Sequence, residues 1–236
     1  MPSIRGKDQG FCAGKQRVFL VVAILASMAL LMFYFGGAEY SVFEEEAIGQ
    51  TFKDVVVFHT KYGNIVWQFF PKDAPKTVEN FKELTRRGFF DHCTFYRANP
   101  RWVLQGGCHK VVGVPGKTWK QSPLPGVPFE YKLNNDKMYI SMARGADING
   151  ATSEFAIQML NNTVGNGPRP DGNPGYAVFA KVVAGVDIVH LICSLPTTEV
   201  SNLLMLVEPV EFKKVVLLDT YTVTEESELP EEEDKK

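Results

Sequence analysis

The run Val18 to Phe35, VFLVVAILASMALLMFYF, carries no charge and constrains the chain more than any other stretch. At a rise of about 1.5 Å per residue it makes a helix about 27 Å long, enough to cross a thin bilayer. A soluble helix buried on all sides is rarely so uniformly apolar, so the sequence predicts a membrane segment over 18–35. Its flanks give an orientation. Arg5, Lys7, Lys15 and Arg17 stand against one Asp8 before it, whereas Glu39, Glu44, Glu45 and Glu46 follow with no basic residue until Lys53. The excess of positive charge places residues 1–17 in the cytosol and the rest of the chain across the membrane, a single-pass type II arrangement. A cleaved signal peptide is the competing reading, because Gly36-Gly37-Ala38 offers small residues for a peptidase. The apolar run is longer than a signal peptide's usual core, which favours an uncleaved signal-anchor. Such a short anchor suits the thinner membranes of the early secretory route, the endoplasmic reticulum or Golgi.

Two features agree with a lumenal body. Asn161-Asn162-Thr163 is an N-glycosylation acceptor with Asn161 as its site. Cys93 and Cys108 flank a hairpin sequence, so antiparallel pairing can bring them together as a disulfide in an oxidising lumen, although two ordinary half-buried thiols are the favoured reading. Cys12 lies next to the apolar run on its cytosolic side, where reversible acylation is possible chemistry.

The body itself reads as a globular domain. Hydrophobic residues make up 45% of the chain and charged ones 22%, which is ordinary. The net charge of −2 and the scattered basic residues argue against nucleic acid as a partner. His59, His92, His109 and His190 lack metal-ligand spacing, so no metal is expected. Residues 36–52 form an acidic stalk, 53–224 the folded domain, and 225–236 (EESELPEEEDKK, from Glu225) an acidic tail that is expected to be disordered.

Within the domain, VVVFHT and IVWQFF flank Lys61-Tyr62-Gly63-Asn64 and predict a hairpin. Val78, Phe81 and Leu84 have helical spacing, entered after Asp73 and Pro75 and ended by Gly88. FYRA and WVLQGG, joined through Asn99-Pro100, predict a second hairpin. Residues 111–129, rich in Gly and Pro, predict a long loop. MYISMA, EFAIQM and YAVFAKVV predict strands, VDIVHLICSL a helix burying Ile188, Leu191, Ile192 and Leu195, and EFKKVVLLDTYTV a closing strand. Eight short strands with two helices far apart in the chain suggest a mainly β fold: a closed eight-stranded antiparallel barrel capped by the two helices.

The linked motifs YGNIVWQFFPKDAPKTVENFKELTRRGFFDHCTFYRANPRWVLQGG, SMARGADINGATSEF and GYAVFAKVVAGVDIV, in this order over about Val55 to Val223, resemble the cyclophilin-type peptidyl-prolyl cis-trans isomerases. The SMAR and GYAVF wording is closer to the bacterial-type branch than to the common cytosolic members. The resemblance implies the same capped eight-stranded barrel, a proline-containing polypeptide as client, and no cofactor.

An X–Pro amide prefers trans only weakly but interconverts slowly, because rotation breaks amide resonance. Speeding it needs a pocket for the proline ring, donors that hold the neighbouring carbonyl, and a charge that favours the twisted state. A guanidinium aimed at the pyramidal proline nitrogen binds that state better than either planar one. Arg suits the role because it stays charged and presents a rigid fork of donors. The resemblance assigns this role to Arg97 in Phe95-Tyr96-Arg97, and substrate holding to Gln105 in Val-Leu-Gln-Gly-Gly. It places Trp102 and Val103 at the pocket floor, where the family usually has Phe and Met. Ala143, followed by Arg144, lies beside the groove and binds peptide through its backbone.

The departures from the family matter equally. Glu154, Phe155 and Ala156 stand where members usually have Gln and two Phe, so Ala156 removes most of one wall of the proline pocket. Glu154 brings a carboxylate near Arg97, with which it is expected to pair. Tyr176 replaces a His that bacterial-type relatives also lack. At the far rim Thr163-Val164-Gly165 lies nearest to the family's aromatic-Leu pair, which has no clear match, and this argues against binding of cyclosporin-like macrocycles. Two readings follow: an isomerase weakened by its pocket, or a non-catalytic module that binds proline segments or scaffolds another protein on the same fold.

Overall fold

The structure, a computed structural model, describes residues 47–108 and 120–224. The predicted cytosolic tail, the apolar run 18–35, the first part of the stalk and the acidic tail from 225 lie outside the described residues. Among the described residues no helix is long and apolar enough to cross a membrane.

Among the described residues, ten antiparallel strands and two α-helices form the fold. In chain order they are β1 (Thr51–Thr60), β2 (Gly63–Phe69), α1 (Pro75–Arg86), β3 (Thr94–Ala98), β4 (Val103–Gly107), β5 (Tyr139–Met142), β6 (Phe155–Gln158), β7 (Val178–Ala184), α2 (Val186–Cys193), β8 (Thr197–Val200), β9 (Leu203–Glu211) and β10 (Lys214–Thr222). The eight strands expected from sequence are β1 to β7 and β10. The hairpin β8–β9 is additional, and it turns at Ser201 and Asn202 with φ of 52° and 63°. Positive φ at both central residues gives a two-residue turn whose twist matches the flanking strands.

The sheet order is β10-β1-β2-β7-β5-β6-β4-β3-β9-β8, so the hydrogen-bonded ladder stays open rather than closing into the expected eight-stranded barrel. The reason lies in the last two of the three strands that follow the helix α2. β9 pairs with β3 and β10 with β1, and the chain passes from one to the other through a corner at Phe212-Lys213. Phe212 N donates to Cys93 O (2.8 Å) and Lys213 N to His59 O (2.8 Å), tying that corner to both sides. β9 and β10 are thus joined by a bent ribbon, not by a ladder, and β10 and β8 are left as the two edges.

The described body begins earlier than position 53. Gly49 N donates to Val223 O (2.9 Å) and Val223 N to Gln50 O (3.1 Å), while Thr51 already pairs with Thr222. The last residues assigned to the stalk, 47–52, therefore satisfy their backbone groups against the end of the domain.

One aromatic cluster fills the interior. Phe58, Trp67, Phe81, Phe95, Phe155 and Phe212 are fully buried, with Phe58–Trp67 centroids 4.2 Å apart, Trp67–Phe155 4.8 Å and Phe95–Phe212 4.8 Å. Tilted and edge-on pairs of this kind add about 0.5–1.5 kcal/mol each beyond area burial. Helix α1 buries Val78, Phe81 and Leu84 as its spacing predicts, and Phe81 stacks on Phe90 at 4.4 Å. Its N-terminus lacks a local side-chain cap. Instead Glu130 accepts from Lys76 N, Thr77 N and Thr77 Oγ1, which satisfies orphan amides and places a negative charge at the positive end of the helix. Helix α2 buries Ile188, Val189 and Ile192, with Leu191 turned partly away from the core.

Gly106 sits between two of these rings. A Cβ there would lie 2.9 Å from Phe95 Cδ1 and 3.1 Å from Phe155. Beside it, Cys93 and Cys108 are joined in a disulfide, with Cα atoms 4.8 Å apart. Because neither ring has room to retreat, Gly106→Ala is expected to destabilise the fold by about 1–3 kcal/mol in urea unfolding.

Candidate active site

The outward face of β9, β3, β4 and β6 carries a row of cross-strand neighbours: Met205, Arg97, Gln105 and Ala156. Side chains directly opposite on neighbouring strands point to the same side, so this row forms one wall. The adjacent row, Phe95, Gly106 and Phe155, points into the core. Strict alternation along Phe95-Tyr96-Arg97 would send Arg97 inward with Phe95. It does not, because the register shifts: Phe95 faces Gly106 and Arg97 faces Gln105, two steps on β3 against one on β4. Tyr96 is the extra residue of a β-bulge, and it lets Tyr96 and Arg97 both serve the outer face.

These residues border a cavity of about 540 Å³ lined by Tyr96, Arg97, Gln105, Ala143, Arg144, Thr152 and Glu154, with Val200, Leu203 and Met205 from the hairpin β8–β9 on one side. Arg97 is fixed from two directions. Its Nη1 donates to Gln105 Oε1 (2.9 Å), and its guanidinium lies over the Trp102 ring, 4.5 Å from the centroid. Burial pulls the Arg97 side chain somewhat below its ordinary pKa, yet a guanidinium starts so high that it stays charged. Gln105 Nε2 donates to Tyr96 Oη (2.6 Å), and Tyr96 Oη donates to Glu154 Oε2 (2.6 Å). Burial, with the Glu154 charge adding to it, pushes the Tyr96 phenol far up, so it remains a donor.

Glu154 is not ion-paired with Arg97 as the sequence led one to expect; among the described residues no salt bridge joins them. Its carboxylate is taken by the Tyr96 hydroxyl and held against Gly107, where a Cβ would lie 2.6 Å from Glu154 Oε1. Gly107, at φ +131°, is therefore required both by its backbone conformation and by this contact. Burial raises the Glu154 carboxyl to about 7, against the pull of the Tyr96 hydroxyl.

The remaining predicted positions divide. Ala143 borders the cavity and its N–H donates to Glu154 O (2.8 Å), so a peptide there would meet its carbonyl rather than its N–H. Arg144 Nη2 donates to Gly175 O (2.9 Å), and its guanidinium lies near the rings of Tyr176 (5.3 Å) and Phe129 (5.7 Å). Tyr176 thus backs Arg144 rather than lining the cavity. Val103 is buried, and Phe155 lies wholly in the aromatic core instead of the groove, because at the start of β6 it points opposite to Ala156. Ala156 presents only a methyl beside Gln105. Trp102 is 39% exposed and lines a second, smaller depression of about 320 Å³ together with Leu160, Asn161, Thr163 and Val164. Asn161 is exposed there, and its Oδ1 accepts from Lys137 N (2.9 Å). Tyr96 and the hairpin residues were missed from sequence. Tyr96 reads as a core aromatic, and Val200 to Met205 lie about a hundred residues from Arg97 in the chain, with no local signal tying them to it.

A model of the cyclophilin type peptidyl-prolyl cis-trans isomerase family matches residues 55–215. Peptidyl-prolyl cis-trans isomerase B of Escherichia coli is 35% identical over 147 residues, covering 61% of this chain and 86% of that protein. A peptidyl-prolyl cis-trans isomerase of Acinetobacter baylyi is 31% identical over 150 residues, covering 61% and 74%. Among solved structures, a cyclophilin type isomerase of Cryptosporidium parvum superposes with a TM-score of 0.56 at 22% identity, covering 71% of this chain and 98% of that one, a likeness of fold. The same Cryptosporidium protein, crystallised in the presence of the dipeptide Ala-Pro, gives a TM-score of 0.55 at 22% identity, covering 70% of this chain and 98% of that one. The chain belongs to the cyclophilin type peptidyl-prolyl cis-trans isomerase family.

Because the folded protein holds the Glu154 proton more tightly than the unfolded chain, this group's contribution to stability falls as pH rises from about 4.5 through about 7. Glu154→Gln is accordingly expected to raise stability at pH 8 and to leave it nearly unchanged at pH 5, as urea unfolding at the two pH values would report.

Proposed function

We propose that this protein is a working, though weakened, prolyl isomerase that assists the folding of secretory-pathway proteins from a membrane anchor. What carries the reading is the arrangement of Arg97: a buried-edge guanidinium, held by Gln105 and Trp102, at the mouth of a cavity bounded by the Ala143 backbone. An X–Pro segment crossing this mouth puts its proline nitrogen toward Arg97 and its carbonyl within reach of the Gln105 amide. As the amide twists, the nitrogen lone pair becomes free and the guanidinium stabilises it more than in either planar state. No proton transfer or covalent intermediate is needed.

The proline ring would rest on the Trp102 and Val103 side of Arg97. There Ala156 supplies a methyl where the family supplies a phenyl, and the lost apolar contact amounts to a few kcal/mol. If most of that acts on the twisted state, turnover drops about a hundredfold relative to a full pocket. A second reading, a proline-binding module without turnover, draws on Ala156 and on the stacking of Trp102 over Arg97. The anchor at 18–35, its positive-inside flank and the Asn161 acceptor support a lumenal domain in the endoplasmic reticulum or Golgi. The Cys93–Cys108 disulfide agrees with an oxidising compartment.

Isomerisation of a short X–Pro peptide by the full chain in detergent tests the enzyme reading. We expect a rate above background that Arg97→Ala lowers about a hundredfold; no rate from the folded wild type would favour the binding module. Ala156→Phe is expected to raise turnover, because it rebuilds the missing wall. For the compartment, peptide mapping without reductant of protein from its native membrane is expected to recover the Cys93–Cys108 cross-link; free thiols at both positions would argue against a lumenal domain.

A further inference from the structure

Tyr96 and Glu154 close a continuous hydrogen-bonded chain that starts at Arg97. Arg97 Nη1 donates to Gln105 Oε1 (2.9 Å), Gln105 Nε2 to Tyr96 Oη (2.6 Å), and Tyr96 Oη to Glu154 Oε2 (2.6 Å). Every donor points toward the carboxylate, which accepts and cannot donate. This direction decides how Gln105 is turned. An amide offers a neighbour either its carbonyl or its NH2, and only the carbonyl can accept from a guanidinium. Tyr96 has a single hydroxyl proton, and Glu154 takes it. The hydroxyl therefore meets Gln105 as an acceptor, receives the NH2, and leaves the carbonyl facing Arg97.

We propose that Glu154 and Tyr96 are positioning residues for the isomerisation: through Gln105 they orient the Arg97 guanidinium, and the negative charge of Glu154 sets the direction of the whole chain. The proposal rests on the reading of Arg97 as the group that acts on the proline amide. Two further observations support it. Among the described residues no acidic side chain pairs with Arg97, so the Gln105 carbonyl and the Trp102 face are what hold it. Glu154 is itself seated against Gly107, a position where any side chain would displace its carboxylate.

Protonation reverses the logic. A neutral carboxyl is a weaker acceptor and has a proton of its own to give to Tyr96. The Tyr96 proton is then free to turn toward Gln105, the amide can flip, and its NH2 faces the guanidinium without a bond. Burial places this change near neutral pH. The other charged or titratable groups of the cavity, among the described residues, are Tyr96 and Arg97 on β3 and Arg144 on the loop after β5. From β4 only the Gln105 amide faces the chain, with Gly107 against Glu154, while the hairpin β8–β9 offers Val200, Ser201, Leu203 and Met205. The Arg97 guanidinium keeps its charge near pH 7, which leaves Glu154 as the group that changes.

The test measures kcat/KM for an X–Pro peptide between pH 5.5 and 8.5 with the full chain, Glu154→Gln and Tyr96→Phe, and follows the Gln105 side-chain NH2 signals by NMR over the same range. Wild-type kcat/KM is expected to fall about fivefold as pH is lowered from 8 to 6. Glu154→Gln should be flat, and Tyr96→Phe should be reduced at every pH with the pH dependence lost. The Gln105 signals should shift with a midpoint near 7 in the wild type and stay still in Glu154→Gln. A Glu154→Gln variant that keeps the wild-type profile, or Gln105 signals that do not move through pH 7, would overturn the proposal. Absence of turnover in all three proteins would instead remove the catalytic reading of Arg97, and the proposal's catalytic role with it, while titrating Gln105 signals would still establish the chain itself.

Discussion

Two residues of β3 span one residue of β4 between Phe95 and Arg97, and the site depends on that mismatch. With regular pairing, the side chain two places from Phe95 would share its face and Arg97 would enter an aromatic core, where an unpaired guanidinium costs far more than the fold can supply. The bulge at Tyr96 separates the two demands. Phe95 stays inside against Phe155 and Phe212, while Tyr96 and Arg97 reach the cavity. Burying Tyr96 on that side has its own requirement, since its hydroxyl needs partners, and Gln105 and Glu154 meet it.

Core and groove are consequently two faces of the same three strands. Gly106 is small because Phe95 and Phe155 close over it, and Gly107 is small because the Glu154 carboxylate lies against it. Glu154, just before β6, and Phe155, its first residue, are neighbours yet belong to different environments, one polar and one wholly apolar. A change that moves β6 relative to β4 would disturb the aromatic packing and the hydrogen bonds to Arg97 together. The polar chain is held in place because Tyr96, Arg97 and Gln105 stand on strands, and Glu154 next to one, that are anchored from behind by buried rings.

Much of this was legible in the sequence, and the illegible parts have definite causes. Val78, Phe81 and Leu84 announced α1 because a 3.6-residue period marks a half-buried helix. Arg97 and Gln105 stood out because charged and amide groups are rare in strands so apolar. The hairpin β8–β9 went unread, since Ser201-Asn202 is a weaker turn signal than Asn-Gly and its strands carry exposed Val200, Leu203 and Val207. The closed barrel was expected from strand count, whereas the open ladder follows from the corner at Phe212-Lys213. Phe155 was counted with the groove because its neighbours belong there; only the facing of β6 separates them.

By itself the sequence determined the mainly β class, both helices, the family, and the pair Arg97 and Gln105, because periodicity, turn residues and linked motifs are local and survive reading in one dimension. Only the tertiary structure decided that Tyr96 leaves the alternation, that Glu154 meets a phenol rather than a guanidinium, and that Val200 to Met205 flank the cavity. Those outcomes depend on register between strands distant in sequence. A shift of one residue there exchanges inside for outside, and nothing local to either strand fixes it.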